Sequence, residues 1–388
     1  MNKHVYVIGA GFSAPAGGPD QSRLIEQIFA LPDSDAKTRD AKLAFAEFLE
    51  EVLQIDRLKF SQTSLEDVYT PIDRCVADGV SLRGKMPAEL RDLRAQMEFL
   101  ISVAIDNSFD RKASIDPGAQ DYVNKFATHL VSLAAVRAER ARNAQFADAA
   151  KAYDPFSVIS LNWDILLDKA LYRAIRVKDR DLEGDYEPVG VVDYCCYVSS
   201  IESAERRIRP GLWALGAKGY NAKLLKIHGS MNWLQCCSCQ RLYISFDEKV
   251  NIPNFINAKL CRYCVLCGFR ATLQGSLIMP TFLKDLRNFQ IQLVWQNAGV
   301  ELMEAERITF IGYSFPHADF EFRQLLSRMV RKEAEIDVIL FHDGSPDRTR
   351  QYDEVCSRYR QFFGTRKVTT NGCGVVEYVK ALTRGHTV

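Results

Sequence analysis

Two periodicities run through this chain. Short, mostly apolar runs, the mark of strands buried on both faces, occur at about residues 4–9, 156–160, 224–227, 277–279, 308–311 and 336–341. Between and after them lie longer segments with apolar residues at helical spacing. Residues 164–175 carry Ile165, Leu166, Ala170 and Leu171 on one face, and further helices are predicted over 286–304, 318–330, 347–360 and about 375–383. The stretch 20–150 is helical in pattern, with an apolar stripe through 41–53 and helices over 90–105 and 122–136. Ser64 reads there as an N-cap with Asp67 at the third helical position. It is too long for one crossover helix and reads as an insertion after the first strand. Residues 178–222 read as loop-rich.

Strands alternating with helices imply a parallel sheet covered on both faces. The class is α/β, a Rossmann-like doubly wound parallel sheet with a helical insertion. Ligands of such sheets sit beyond the carboxyl ends of the strands. Five strand ends here carry small or polar groups: Gly9-Ala10-Gly11, Asn162 with Asp164, His228, Gly312 with Ser314, and His342 with Asp343. The first is a partial dinucleotide fingerprint. Gly9 and Gly11 permit a tight turn able to offer N–H groups to a phosphate, while Ala14 stands where a third glycine is usual. Taken singly, His228 could be a strand-end histidine bonded to backbone, and Asn162 the N-cap of helix 164–175.

Charge narrows the partners. In 388 residues, 50 Lys and Arg face 49 Asp and Glu, a net charge of +1, which gives no support to a nucleic-acid-binding surface spread over the molecule. No apolar run reaches the roughly 20 residues needed to cross a bilayer. The chain enters its first strand without a signal-peptide pattern, so a cytoplasmic location is expected.

Cysteine use adds a module. Of eleven cysteines, Cys236, Cys237, Cys239, Cys261, Cys264 and Cys267 crowd into one segment. An odd total without a secretion signal favours metal over disulfides. Cys236-x-x-Cys239 and Cys264-x-x-Cys267 have zinc-ribbon spacing and could place four thiolates about 2.3 Å from Zn²⁺, with 234–275 as the module. Cys261-x-x-Cys264 is a competing pair and Cys237 a spare.

In order along the chain, Gly9-Ala10-Gly11-Phe12-Ser13, Ser160-Leu161-Asn162-Trp163-Asp164, Lys226-Ile227-His228-Gly229-Ser230, the cysteine cluster, and Gly312-Tyr313-Ser314-Phe315-Pro316 followed by Asp319 resemble the sirtuin-like superfamily. They are most similar to its divergent bacterial branch, which acts against phage by destroying NAD. The resemblance spans residues 4 to about 345 and implies one NAD-binding domain over 1–388. It implies that Gly9, Ala10, Gly11, Phe12 and Ser13 form the NAD phosphate turn, and that Asn162 and Asp164 lie beside the nicotinamide ribose. Asn162 is then the residue of hydrolysis and His228 the general base. Gly312, Ser314, Asp319 and the strand-end His342 complete the cofactor site. It also implies structural zinc rather than an iron–sulfur cluster.

The chain departs from ordinary sirtuins where Gly18-Pro19-Asp20-Gln21-Ser22 replaces a run carrying a Phe-Arg pair. The expected activity is therefore cleavage of free NAD⁺ to nicotinamide and ADP-ribose. The alternatives are an NAD-dependent protein deacylase and a non-catalytic NAD or ADP-ribose scaffold. Unrestrained hydrolysis would kill the host. Latency is expected, relieved in a homo-oligomer or by a separately encoded partner such as a HerA-type ATPase or an Argonaute-like protein. Pro280-Thr281-Phe282-Leu283-Lys284 matches an element of the same branch to which the sequence assigns no chemistry.

Overall fold

The computed structural model describes residues 3–19, 21–33, 35–142, 155–181, 190–200, 219–244, 264, 266–268 and 273–385. Its strands are β1 (His4–Ile8), β2 (Phe156–Ser160), β3 (Gly190–Asp193), β4 (Val198–Ser200), β5 (Tyr220–Lys226), β6 (Gly229–Gln235), β7 (Leu242–Ile244), β8 (Gln274–Leu277), β9 (Arg307–Ile311), β10 (Glu335–Ile339) and β11 (Val368–Asn371). The helices are α1 (Ala10–Ser13), α2 (Leu24–Phe29), α3 (Ala36–Glu47), α4 (Leu65–Asp78), α5 (Pro87–Ile115), α6 (Asp121–Arg142), α7 (Leu166–Asp181), α8 (Phe289–Glu304), α9 (Phe320–Met329), α10 (Pro346–Phe363) and α11 (Gly374–Thr383).

Seven strands form one parallel sheet in the order β11-β10-β9-β1-β2-β5-β3. Successive strands leave β1 in one direction through β2 and β5 and in the other through β9, β10 and β11. The topological switch, where an open sheet of this kind opens a crevice, therefore lies between β1 and β9. Helices lie on the crossovers between these parallel strands and flank the sheet. α6 packs against α7 and α11, and α8 packs against α9 and β5. Their apolar stripes close on Val5, Val7, Val158, Leu224, Ile308, Phe310 and Val338, all fully buried.

Strand register aligns the ends of the central strands. Ile8 pairs with Ser160 and Ile311, and Ser160 with Lys226, so four strands end level. The residues just beyond them, from Gly9 to Gly312, share one edge.

A second sheet, β4-β7-β6-β8, carries the cysteine segment. It shares a hydrophobic core with the helices of the first hundred residues. Leu24, Phe45, Phe48, Val68, Tyr69, Leu100 and Ile101 cluster with Met231, Leu234, Tyr243, Leu273, Leu277 and Met279. Helix starts in this layer are set by sequence. Ser64 Oγ accepts the Asp67 N–H at 3.1 Å, and Asp35 caps α3 at Thr38. Among the described residues no helix is long and apolar enough to cross a membrane.

Several expected boundaries move. The loop-rich 178–222 contains β3, β4 and the start of β5, while 201–218 lies outside the described residues. The apolar run 277–279 is mostly not strand. β8 ends at Leu277, and Ile278 and Met279 are apolar because they are buried in the turn after it. β11 is an addition. Val-Thr-Thr-Asn at a half-buried sheet edge has too little apolar patterning to announce a strand. α6, expected within the helical insertion, packs on the large sheet instead of joining the helical core.

Candidate functional site

The floor of the edge is an interlock of glycine turns. Gly9 N–H donates to Ile311 O at 3.1 Å and Gly11 N–H to Gly312 O at 2.8 Å. Gly312 sits at φ +62°, and a Cβ there would lie 2.3 Å from the Gly11 carbonyl carbon. One on Gly9 would lie 2.7 Å from Tyr313 Cα. No side chain fits at this crossing of two loops. The turn commits three of its own amides to the protein, because Phe12 N–H also donates to Gly9 O at 2.9 Å. Ala10 and Gly11 are exposed, whereas the Phe12 ring is in the core against Tyr122 and Phe126.

Asn162, two residues past β2, is buried. Its Nδ2 donates to Gly9 O at 3.0 Å and to Ser13 Oγ at 3.1 Å. Gly9 O can only accept, so the amide orientation is fixed and Oδ1 is the atom left for a ligand. Ser13 Oγ in turn donates to Asp164 Oδ2 at 2.8 Å. The helix cap is Asp164, whose Oδ1 accepts the Leu166 N–H at 3.0 Å, so Asn162 is not spent on capping. Burial pushes the Asp164 carboxyl up, opposed by the Lys226 ammonium and by its hydrogen bonds. Lys226 is itself buried. It donates to Asp164 O and faces Asp168 Oδ2 at 3.3 Å, and Asp168 accepts Tyr194 Oη–H at 2.7 Å.

His228 lies two residues past β5. Its Nδ1 is 3.2 Å from Leu161 O, the carbonyl of the residue before Asn162, so the two candidate catalytic side chains are tied through neighbouring backbone. Because that carbonyl only accepts, Nδ1 carries the proton in the neutral ring and Nε2 presents its lone pair. Nε2 is buried and has no hydrogen-bond partner. Burial pushes the imidazole pKa below its ordinary value, Asp319 raises it, and Lys284 lowers it again. Asp319 Oδ1 is 3.7 Å from Nε2, and Asp319 Oδ2 accepts Tyr313 Oη–H at 2.8 Å. The glycine after His228 is required by space. Gly229 has φ +73°, and a Cβ would fall 2.0 Å from Ser276 O of β8.

Three contacts clip these loops together. Trp163 Nε1–H donates to Ile278 O at 3.1 Å, Met231 N–H to Trp163 O at 2.9 Å and Ile278 N–H to His228 O at 3.0 Å. The structure thus brings together Gly9, Gly11, Ser13, Asn162, Asp164, His228, Gly312 and Asp319. Ser314 is exposed next to the interlock. His342 lies further along the edge, past β10, where its Nε2 meets Thr349 Oγ1 at 2.9 Å. The sequence reading passed over Tyr313 and Lys226 and left Lys284 without a role. A lysine inside the apolar run Leu224-Leu225-Lys226-Ile227 is the one signal that marks such a buried cation.

Cys236, Cys239, Cys264 and Cys267 converge with every sulfur within 4.8 Å of every other. Cys236 Sγ and Cys267 Sγ are 3.7 Å apart, and Cys239 Sγ and Cys264 Sγ 3.6 Å. Sulfurs 2.3 Å from a tetrahedral zinc would be about 3.8 Å apart, so the set fits. Each pair sits on the same kind of knuckle. Gln240 N–H donates to Cys236 O and Gly268 N–H to Cys264 O, with Gln240 at φ +57° and Gly268 at φ +72°. Tyr243 Oη lies 2.9 Å from Cys264 Sγ. Cys237 is exposed and outside the cluster, and Cys261 lies outside the described residues.

No protein-family model and no curated protein matches this sequence. Among solved structures, the chain is similar to a sirtuin solved for the structural basis of sirtuin substrate affinity, with 13% identity and a TM-score of 0.38 over 98% of this chain and 93% of that one. It is also similar to Sir2Tm bound to a propionylated peptide (10% identity, TM-score 0.35, 98% and 92% covered) and to Sir2 with a p53 peptide and NAD⁺ (11% identity, TM-score 0.34, 98% and 92% covered).

Proposed function

We propose that this protein is an NAD⁺ glycohydrolase that releases nicotinamide and ADP-ribose. The observation that carries the reading is the pairing of an orientation-locked Asn162 amide with a neutral His228 whose Nε2 has no partner. The bond from ribose to nicotinamide has a cationic leaving group and breaks through an oxocarbenium-like centre. It needs little acid help. What it needs is an oriented ribose, a placed water and a proton acceptor. Asn162 Oδ1 accepts a hydrogen bond from that water or from a ribose hydroxyl. His228 Nε2 takes the water's proton as its oxygen bonds to the anomeric carbon, nicotinamide departs with the bonding pair, and ADP-ribose remains. The dinucleotide would lie across the switch between β1 and β9, against Ala10, Gly11, Gly312 and Ser314, as in other open sheets of this topology. The four cysteines would hold a closed zinc site that supplies structure only.

The setting that fits best is defence against phage by NAD depletion, with the activity latent. Release would come from a homo-oligomer or from a separately encoded partner such as a HerA-type ATPase or an Argonaute-like protein. The test is NAD⁺ consumption by the purified chain, alone and with candidate partners, with products resolved by chromatography. Turnover to nicotinamide and ADP-ribose that falls at least about 100-fold in both Asn162→Ala and His228→Ala is expected. O-acyl-ADP-ribose formed from an acylated peptide would replace the reading by a deacylase. NAD⁺ binding without turnover under any condition would replace it by a scaffold.

A further inference from the structure

Lys284 lies in the loop between β8 and α8, and its side chain is 1% exposed. A buried ammonium must be matched by nearby acceptors. Lys284 Nζ donates to Ala318 O and lies 3.2 Å from Glu321 Oε2, 3.4 Å from Asp319 Oδ1 and 3.5 Å from Thr281 O. Asp319 Oδ1 therefore faces two cations-to-be, the fixed ammonium and, at 3.7 Å, the imidazole of His228. The other oxygen of Asp319 is taken by Tyr313.

We propose that Lys284 is a positioning residue: its ammonium anchors the Asp319 carboxylate opposite His228 Nε2 and thereby decides when that imidazole takes up a proton. A lone carboxylate at this distance would draw a proton onto the imidazole before any substrate arrived. Burial already disfavours the charged ring, and the ammonium on that same oxygen offsets part of the carboxylate's pull, so Nε2 waits with its lone pair free. Once His228 has accepted a proton, Asp319 is in place to receive the imidazolium. The charged groups facing His228 are Asp319, Lys284 and Glu321. Leu161 O holds the other ring nitrogen, and the Trp295 ring lies 6.5 Å away by centroids.

The loop bearing Lys284 is held from the helical layer. Phe282 N–H donates to Thr70 Oγ1 of α4 at 3.3 Å, and Thr281 also bonds Asp73 of α4. The helices between β1 and β2 thus fix one corner of the site.

The inference rests on the proposed role of His228 as the base, but its test does not need turnover. The chain has six histidines, so ring resonances of the full-length protein labelled at the imidazole carbons can be assigned with single His variants. In Lys284→Met the His228 midpoint is expected to rise by about one pH unit, and in Asp319→Asn to fall. Lys284→Arg, which keeps the charge, is expected to stay near the parent value. The acid limb of NAD⁺ cleavage should move with these midpoints. An unmoved His228 midpoint in folded Lys284→Met overturns the proposal, and so does a shift in Lys284→Arg as large as in Lys284→Met. If Lys284→Met does not fold, an unmoved midpoint in Asp319→Asn overturns it. Shifted midpoints with no NAD⁺ cleavage, alone or with any candidate partner, would overturn the hydrolase reading and leave this one standing.

Discussion

Ser13 Oγ accepts from Asn162 Nδ2 and donates to Asp164 Oδ2, and a hydroxyl with one proton can hold that pair in only this order. The hydroxyl orients the Asn162 amide from below while Gly9 O holds it from the side. Ser13→Ala leaves a buried carboxylate oxygen and an amide hydrogen each short of a partner, at a cost of about 1–3 kcal/mol. The expected outcome is a lower Tm in a melting scan and a drop in NAD⁺ cleavage of about 100-fold, because a displaced amide misplaces the water. The family resemblance made Ser13 part of a phosphate turn; its place between Asn162 and Asp164 became visible only when residues following β1 and β2 met. Asn162 and His228 stood out as candidates because each comes closely after an apolar run, and the family resemblance gave them their proposed roles. Lys284 did not stand out, because nothing local distinguishes a buried lysine from a solvated one. Its counter-charges lie on Asp319 and Glu321, far along the chain.

At the level of elements, the alternation of strands and helices was readable because buried parallel strands are apolar throughout. Short strands with polar faces, such as β4 and β11, were not. The cysteine spacing pointed to a metal module, with Cys261 and Cys237 left as competitors, but not to its setting. Cys236 and Cys264 belong to the same buried cluster as Phe45, Val68 and Leu100 of the helices. Stripping the metal with a chelator should therefore loosen more than the knuckles. Amide exchange is expected to rise across 24–105 and in β6 to β8, with a fall in Tm, while β1, β9 and β10 keep their protection. Cys239→Ser should reproduce the pattern without chelator. Equal loss of protection in both sheets would mean that the two cores are not separable.

The whole molecule carries an acid sensitivity built into its packing. His4 stacks on Tyr6 with ring centroids 4.0 Å apart, and its Nε2 meets Thr309 Oγ1 at 2.8 Å. Burial pushes it down to about 3, with Arg307 adding to the effect. His228 is lowered as well, again first by burial. A ring that binds protons more weakly folded than unfolded contributes stability that is complete above its ordinary value of 6.5 and is lost as pH falls toward the folded value. Glu98, which burial raises to about 7, works the other way. Its contribution is complete below its ordinary value of 4.5 and is lost as pH rises through about 7. Scanning Tm from pH 7 to 4 should show the parent chain losing stability faster than His4→Gln. Parallel curves for the two would mean that His4 is not the source of the slope.

The glycine interlock joins residues 9–11 to residue 312, and the other site groups arrive from residues 162, 228 and 319. A chain still emerging from the ribosome can join Asn162 to Gly9, but it has neither the interlock nor Asp319 until most of its length is out. The loop closed by the Gly11–Gly312 contact is among the longest the fold contains, so it forms late. Under the proposed function, in which the chain would consume a metabolite its own synthesis depends on, that order has a benefit. An unfinished copy, or one cut short before Gly312, can fold its helices and still be harmless.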